Sequence, residues 1–232
     1  MPSHYEDSLR HDIDRIRKKI TEMATLAESA LEACLKALAS HNRQLAYAVI
    51  LRDRRIDELE KEVDRLCLEF LIRQQPVARH LRFAYITIRV NLELERIGDY
   101  AESIARQTLK LAGMNAHIPL DRFQQIGGLS IPMLRDAVKA FVAEDEALAR
   151  DVIAREDEVD ALRSVINNEL FKLRQEDRIP LEALTPLMTI ARRFERVSDQ
   201  ATNICEEVIY MVNGEYPQKL GGETWRDRKS VV

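Results

Sequence analysis

Glycine and proline are scarce in this chain, seven of each among 232 residues, which is roughly half their average share. So few turn formers exclude a protein of many short elements and leave room for long helices. Aromatic residues make up only 6%, and no run of alternating β-branched residues is bounded by turn residues, so strands are not expected. No apolar run approaches the roughly 20 residues needed to span a bilayer. The start of the chain is polar and partly acidic rather than signal-like, and a soluble, cytoplasmic protein is expected. The three cysteines, Cys34, Cys67 and Cys205, are odd in number, widely spaced and set in helical patterns. That spacing argues against a disulfide framework or a zinc site and for buried thiols. A net charge of −4 supplies no broad basic field for nucleic acid. There is no Gly-rich phosphate loop, no Gly-x-Ser-x-Gly elbow and no paired Cys/His nucleophile, so an enzyme is not expected.

What the chain has is helical periodicity, with 46% apolar and 32% charged residues. Ile13, Ile16, Ile20, Met23, Ala27, Ala30, Cys34 and Ala37 recur at three- and four-residue steps, the apolar seam of a long amphipathic helix over residues 5–40. The polar stretch at 40–43 ends it, and a second helix runs to about residue 73. Pro76 breaks the pattern, and a third helix continues to about 111, closed by Gly113 and Asn115. Residues 114–120 read as a linker. The second half repeats the plan with helices from about 120 or 131 to 142, from 144 to 175, and from 180 to about 213. Gly127, Gly128 and Pro132 blur the start of the fourth helix, and residues 215–232 have no periodic face and read as an exposed tail. Short connections force sequential helices side by side. The expected fold is therefore all-α, two tandem antiparallel three-helix bundles over residues 5–113 and 121–214, each with its own seam.

The halves are related by duplication. Leu45, Ala46, Val49, Ile50, Arg52, Asp57 and Leu59 reappear 103 residues later as Leu148, Ala149, Val152, Ile153, Arg155, Asp160 and Leu162. Glu95-Arg96-Ile97-Gly98-Asp99 returns 100 residues later as Glu195-Arg196-Val197-Ser198-Asp199. The second copy is thus three residues shorter, and the shortfall falls near Pro76. Two acids one turn apart on a helix repel each other by a few tenths of a kcal/mol, so a pair present in both copies suggests a cation between them. Asp53 and Asp57 on the second helix could face Glu95 and Asp99 on the third, with Glu156, Asp160, Glu195 and Asp199 in the matching places. Hard oxygen donors favour iron, manganese, magnesium or calcium, and zinc also fits. Rotation places these acids on an outer face, which argues against a ferritin-like di-iron core. The interleaved Arg52, Arg54, Arg55, Arg96, Arg193 and Arg196 keep a second reading open, in which the acids form ordinary surface ion pairs.

The segment Arg73-Gln74-Gln75-Pro76-Val77-Ala78, then Leu94-Glu95-Arg96-Ile97-Gly98-Asp99 and its second copy around Phe194 to Ile204, closely resembles the PhoU family of phosphate-uptake regulators over about residues 10–214. The resemblance implies two three-helix bundles whose Glu/Asp-x-x-x-Asp motifs hold iron or zinc. It also implies a cytoplasmic adaptor without catalytic activity. Such an adaptor contacts the phosphate ABC transporter's cytoplasmic subunits and its sensor histidine kinase, and holds down phosphate-starvation signalling when phosphate is plentiful. A homodimer is allowed, and the membrane is reached only through partners. Departures from the family pattern are His80 where an acid is usual, Ser103 opposite Asn203, and Ser198 opposite Gly98; His80 is a metal ligand or, more simply, an exposed loop residue. Two other classes stay open: a metal-dependent hydrolytic or redox enzyme using the carboxylates, and a purely structural helical interaction module.

Overall fold

The computed structural model describes residues 4–114 and 118–217. Every regular element among them is a helix: α1 (His4–Ser40), α2 (Arg43–Gln74), α3 (Ala78–Leu111), α4 (Leu120–Ala143), α5 (Glu146–Ile153), α6 (Glu156–Gln175) and α7 (Leu181–Asn213). The first three form one antiparallel bundle; α4, the α5–α6 pair and α7 form the other. Ile16, Ile20, Met23, Ala27, Cys34 and Ala37 of the α1 seam are buried, with Ile13 and Ala30 packed at its edge. The duplication reaches the caps: Asn42 accepts from Leu45 N and Asp145 from Leu148 N, each at 3.0 Å, satisfying an orphan donor at the start of α2 and α5. Gly214 closes α7 at φ +80°, the left-handed C-terminal position that favours glycine.

Two expectations are corrected, and of the two starts expected for the fourth helix the structure has the earlier. The helix expected over 144–175 is two, because the chain makes a tight turn at Ala154 and Arg155, where Arg155 N donates to Val152 O at 3.1 Å although both residues keep right-handed backbones. Arg155 Nη2 reaches both Asp151 at 2.6 Å and Asp136 of α4 at 2.9 Å, which pins the turn. Helix α4 starts at Leu120 and runs unbroken through Pro132. Gly127 serves packing there instead of breaking the helix, since a Cβ on it would lie 2.5 Å from Leu35 Cδ1 of α1. The two seams are also not separate: the buried side chains form one cluster through all seven helices.

The halves join chiefly along α3 and α7. Arg82 Nε donates to Met211 O, Arg89 pairs with Glu207 at 2.5 Å, and Arg193 Nε donates to Ser103 Oγ at 3.0 Å. Low numbers on one helix meet high numbers on the other, so the two run antiparallel. All three cysteines are buried and free, and burial pushes the Cys34 and Cys67 thiols up to about 12. The core of the linker, 115–117, and most of the tail, 218–232, lie outside the described residues. Where the tail begins it docks: Tyr216 stacks on Tyr210 at 4.3 Å and donates to Glu207 Oε2 at 3.0 Å.

Candidate metal centre

Asp53 and Asp57 stand one turn apart on α2, and Glu95 and Asp99 one turn apart on the adjacent α3. Gly98 lets the two helices close up: a Cβ there would lie 3.0 Å from Asp53 Oδ1 and 3.0 Å from Ile56 Cδ1. The acids share one field. Burial first, then Asp57, Asp99, Glu102 and Glu95, push the Asp53 carboxyl up to about 6. Glu95 is raised by burial, then by Asp99, Glu60 and Asp57; Asp99 by burial, then by Asp57 and Glu102. Glu60 and Glu102 thus belong to this acidic groove although the repeated motif does not contain them. Their signal in the sequence was spacing, three residues beyond Asp57 and Asp99, on the same helix faces.

Among the described residues only Glu102 of this group has an arginine partner, although the nearby charges of Arg96 and Arg193 oppose the upward shifts of Glu95 and Asp99. Arg54 and Arg55 pair with Glu58, Arg55 also with Glu22, Arg96 with Glu93, and Arg106 with Glu102. Arg193 donates to Ser103 Oγ and lies over the Tyr100 ring at 5.2 Å. Among the described residues no lysine or arginine ion-pairs with Asp53, Asp57, Glu95 or Asp99. Four carboxylates on two helices, none of them in a salt bridge, suit a cation that prefers oxygen ligands.

The second half brings together three of its four acids. Oxygens of Asp160, Glu195 and Asp199 lie within 4.8 Å of one another, with Asp160 exposed and the other two half-buried. Here arginines intervene: Arg196 reaches Asp199 at 3.1 Å and Glu195 at 3.8 Å, and Arg163 reaches Glu195 at 3.5 Å. Among the described residues the first-half acids Asp53, Asp57, Glu95 and Asp99 do not bring three ligand oxygens together within 4.8 Å. Glu156, expected with them, opens α6 and is outside the converging group. The place that Asp53 takes against Gly98 is filled at the matching position by the buried Ser198, whose Oγ donates to Glu195 O at 2.6 Å. His80 lies in the first turn of α3 rather than in a loop. It lines a different pocket, with Arg17, Arg79 and Glu144, about four helical turns from Glu95.

These features define a class: a duplicated all-helical protein that presents carboxylate groups on the outer faces of paired helices. The comparisons identify the family. The PhoU domain matches twice, over residues 20–108 and 123–208, and the chain belongs to the PhoU family. It is 32% identical over 216 residues to a phosphate-specific transport system accessory protein PhoU homolog of Caulobacter vibrioides, covering 93% of this chain and 94% of that protein. It is 31% identical over 204 residues to a protein of the same description from Clostridium acetobutylicum, covering 88% and 93%. The crystal structure of PhoU from Pseudomonas aeruginosa superposes with a TM-score of 0.83 at 29% identity, over 89% of this chain and 99% of that one. The regulatory protein PhoU from Streptococcus pneumoniae gives 0.84 at 25% identity, over 91% and 100%.

Proposed function

We propose that this chain is a metal-binding regulatory adaptor of phosphate uptake. It acts in the cytoplasm by contacting the cytoplasmic subunits of a phosphate ABC transporter and a sensor histidine kinase, and so restrains phosphate-starvation signalling when phosphate is plentiful. The relatives described as accessory proteins of the phosphate-specific transport system support the regulatory part. Among the described residues no helix is long and apolar enough to cross a membrane, which fits a protein that reaches the membrane through partners. Membership of a family of accessory proteins, and cysteines that are all buried, support a role without catalysis.

The observation that carries the metal part is that Asp53, Asp57, Glu95 and Asp99 share one acidic field without an ion-pair partner among the described residues. These side chains would hold an ion between α2 and α3, and Asp160, Glu195 and Asp199 a second between α6 and α7. A bound cation would supply the positive charge that offsets mutual repulsion and ties the outer helix of each bundle to the inner one. Iron or zinc is the leading candidate, and manganese, magnesium or calcium uses the same donors.

Two measurements test this reading. Deleting the gene should derepress phosphate-starvation genes in rich phosphate, and unchanged expression would count against the regulatory role. Elemental analysis of the purified chain should show bound metal that falls in Asp99→Ala and again in Asp99→Ala/Asp199→Ala. Equal metal content in all three proteins would remove the carboxylates as ligands.

A further inference from the structure

Six buried side-chain atoms among the described residues have no hydrogen-bond partner, and three of them, Arg163 Nε, Asn167 Oδ1 and Glu195 Oε2, line a single pocket. Such atoms cost free energy unless something satisfies them: Arg163 Nε is a donor that an anion would satisfy, whereas Asn167 Oδ1 is an acceptor that an amide flip exchanges for a donor and Glu195 Oε2 an acceptor that faces the Arg196 guanidinium at 3.8 Å. The pocket lies between α6 and α7, has a volume of about 440 Å³, and carries three guanidinium groups, those of Arg163, Arg192 and Arg196. Only one carboxylate, Glu195, is in its wall. Its ion-pair distances to Arg163 and Arg196, 3.5 and 3.8 Å, are too long for good hydrogen bonds, so Glu195 does not satisfy either Nε–H. Arg192 is exposed and forms no ion pair with a described residue.

The first half shows what this groove is without the arginines. At the repeat offsets Arg163 corresponds to Glu60, Asn167 to Asp64 and Arg192 to Leu92. There the groove is anionic, and Glu60 is raised by burial and then by the charge of Asp64. Thr185, Met188 and Thr189 replace Tyr85, Ile88 and Arg89; even with the loss of that one arginine, the changes at Arg163, Asn167 and Arg192 leave this stretch with more basic than acidic side chains. Beside the acidic group of Asp160, Glu195 and Asp199, the stretch of the α6–α7 groove lined by Arg163, Arg192 and Arg196 thus attracts anions.

We propose that the α6–α7 pocket binds a phosphate-class oxyanion, either free phosphate or the phosphoryl group of a small metabolite. Arg163, Arg192 and Arg196 present planar forks of N–H donors that match tetrahedral oxyanions. The Asn167 amide offers an NH₂ after a flip about its last torsion, a change that exchanges two nearly indistinguishable ends. Thr185, on the exposed first turns of α7, adds a hydroxyl, while Thr189 donates to Thr185 O at 2.8 Å and closes the floor. A volume of about 440 Å³ falls within the range of small-molecule sites, leaving room for more than a bare anion.

The experiment is isothermal titration calorimetry on the full chain after chelator treatment, at constant ionic strength. Because no metal is present, its failure leaves the carboxylate reading intact, and loss of metal binding leaves this one intact. Orthophosphate, pyrophosphate and ATP are the probes. Saturable binding of one anion per chain, with Kd below about 1 mM, is expected for at least one of them. Tight orthophosphate places recognition in the free anion, and tight ATP with weak orthophosphate places it in a phosphoryl group on a larger molecule. Arg192→Ala, at an exposed position that folding does not need, should weaken binding about tenfold, as loss of one charged hydrogen bond does. Arg163→Gln should do the same, and Arg54→Ala, on the far bundle, should change nothing. No saturable binding of any probe, or binding that Arg192→Ala leaves unchanged, overturns the proposal.

Discussion

Asp53 sits where burial and four neighbouring acids oppose its ionisation, which gives its carboxyl a measurable effect on folding. With a pKa of about 6 in place of 3.8, the folded chain holds a proton there that the unfolded chain has released. Metal-free protein therefore loses stability as pH rises from about 4 to about 6, and the loss is complete above that range. Asp53→Asn removes the ionisation and should stabilise metal-free protein by about 1 kcal/mol near pH 7, a figure held below full linkage because the group is partly solvent-exposed. Near pH 4 parent and variant should match. Urea titrations at the two pH values check this, and an equal difference at both would refute it. Gly98 supplies a second residue-scale prediction. Gly98→Ser gives the first half the residue of the second, and its Cβ meets Asp53 and Ile56 at 3.0 Å. The variant should lose about 1 kcal/mol to overpacking and retain less metal, because Asp53 is pushed from its place; undiminished metal content would show that Asp53 is not a ligand. The spacing of all eight acids was legible in the sequence, but the partners of the arginines were not. Arg96 turns to Glu93 while its repeat mate Arg196 turns to Asp199, a choice made by tertiary neighbours that identical motifs cannot reveal.

At the scale of elements, most helix boundaries were legible because caps and breakers mark them: Asn42, Pro76 and Gly214 each stand where a helix begins or ends. The break between α5 and α6 was not, because no glycine or proline occurs there and Arg155 repeats Arg52 of the unbroken α2. The difference lies across the bundle. Arg155 is drawn to Asp136 of α4, whereas at the same offset the first half has Ala33, which lines one pocket with Arg52. An arginine faces an acid in one copy and a methyl group in the other. Three acids, Glu156, Asp157 and Glu158, then open α6, where the helix dipole favours them. Arg155→Ala should leave Asp136 without its charged partner and cost about 1–2 kcal/mol, read as a lower urea midpoint with unchanged slope. Arg52→Ala should cost far less, and equal losses would show that the break owes nothing to this ion pair.

For the whole molecule, duplication foretells two bundles but not how they pack, since a repeat describes each copy and is silent on the surface between them. That surface is apolar and shared. Phe83 of α3 meets Phe70 of α2 at 6.3 Å and Phe141 of α4 at 6.1 Å, and Arg17 of α1 lies over its ring at 5.5 Å. Directly beyond, Glu144 at the end of α4 accepts ion pairs from both Arg17 and Arg79, so aromatic and ionic contacts between the halves fall in one place. A continuous core makes unfolding of either half expose apolar surface on the other, which couples the two transitions. Calorimetry of metal-free protein should show one transition. Phe83→Ala, which removes a ring buried to 3% exposure, should cost about 3–5 kcal/mol and lower the whole transition together, with amide exchange accelerating in α7 as much as in α2. If Phe83→Ala instead split the transition and left the protection of α7 intact, the halves would be independent folding units, and a cation bound by one could not be felt by the other through the shared core.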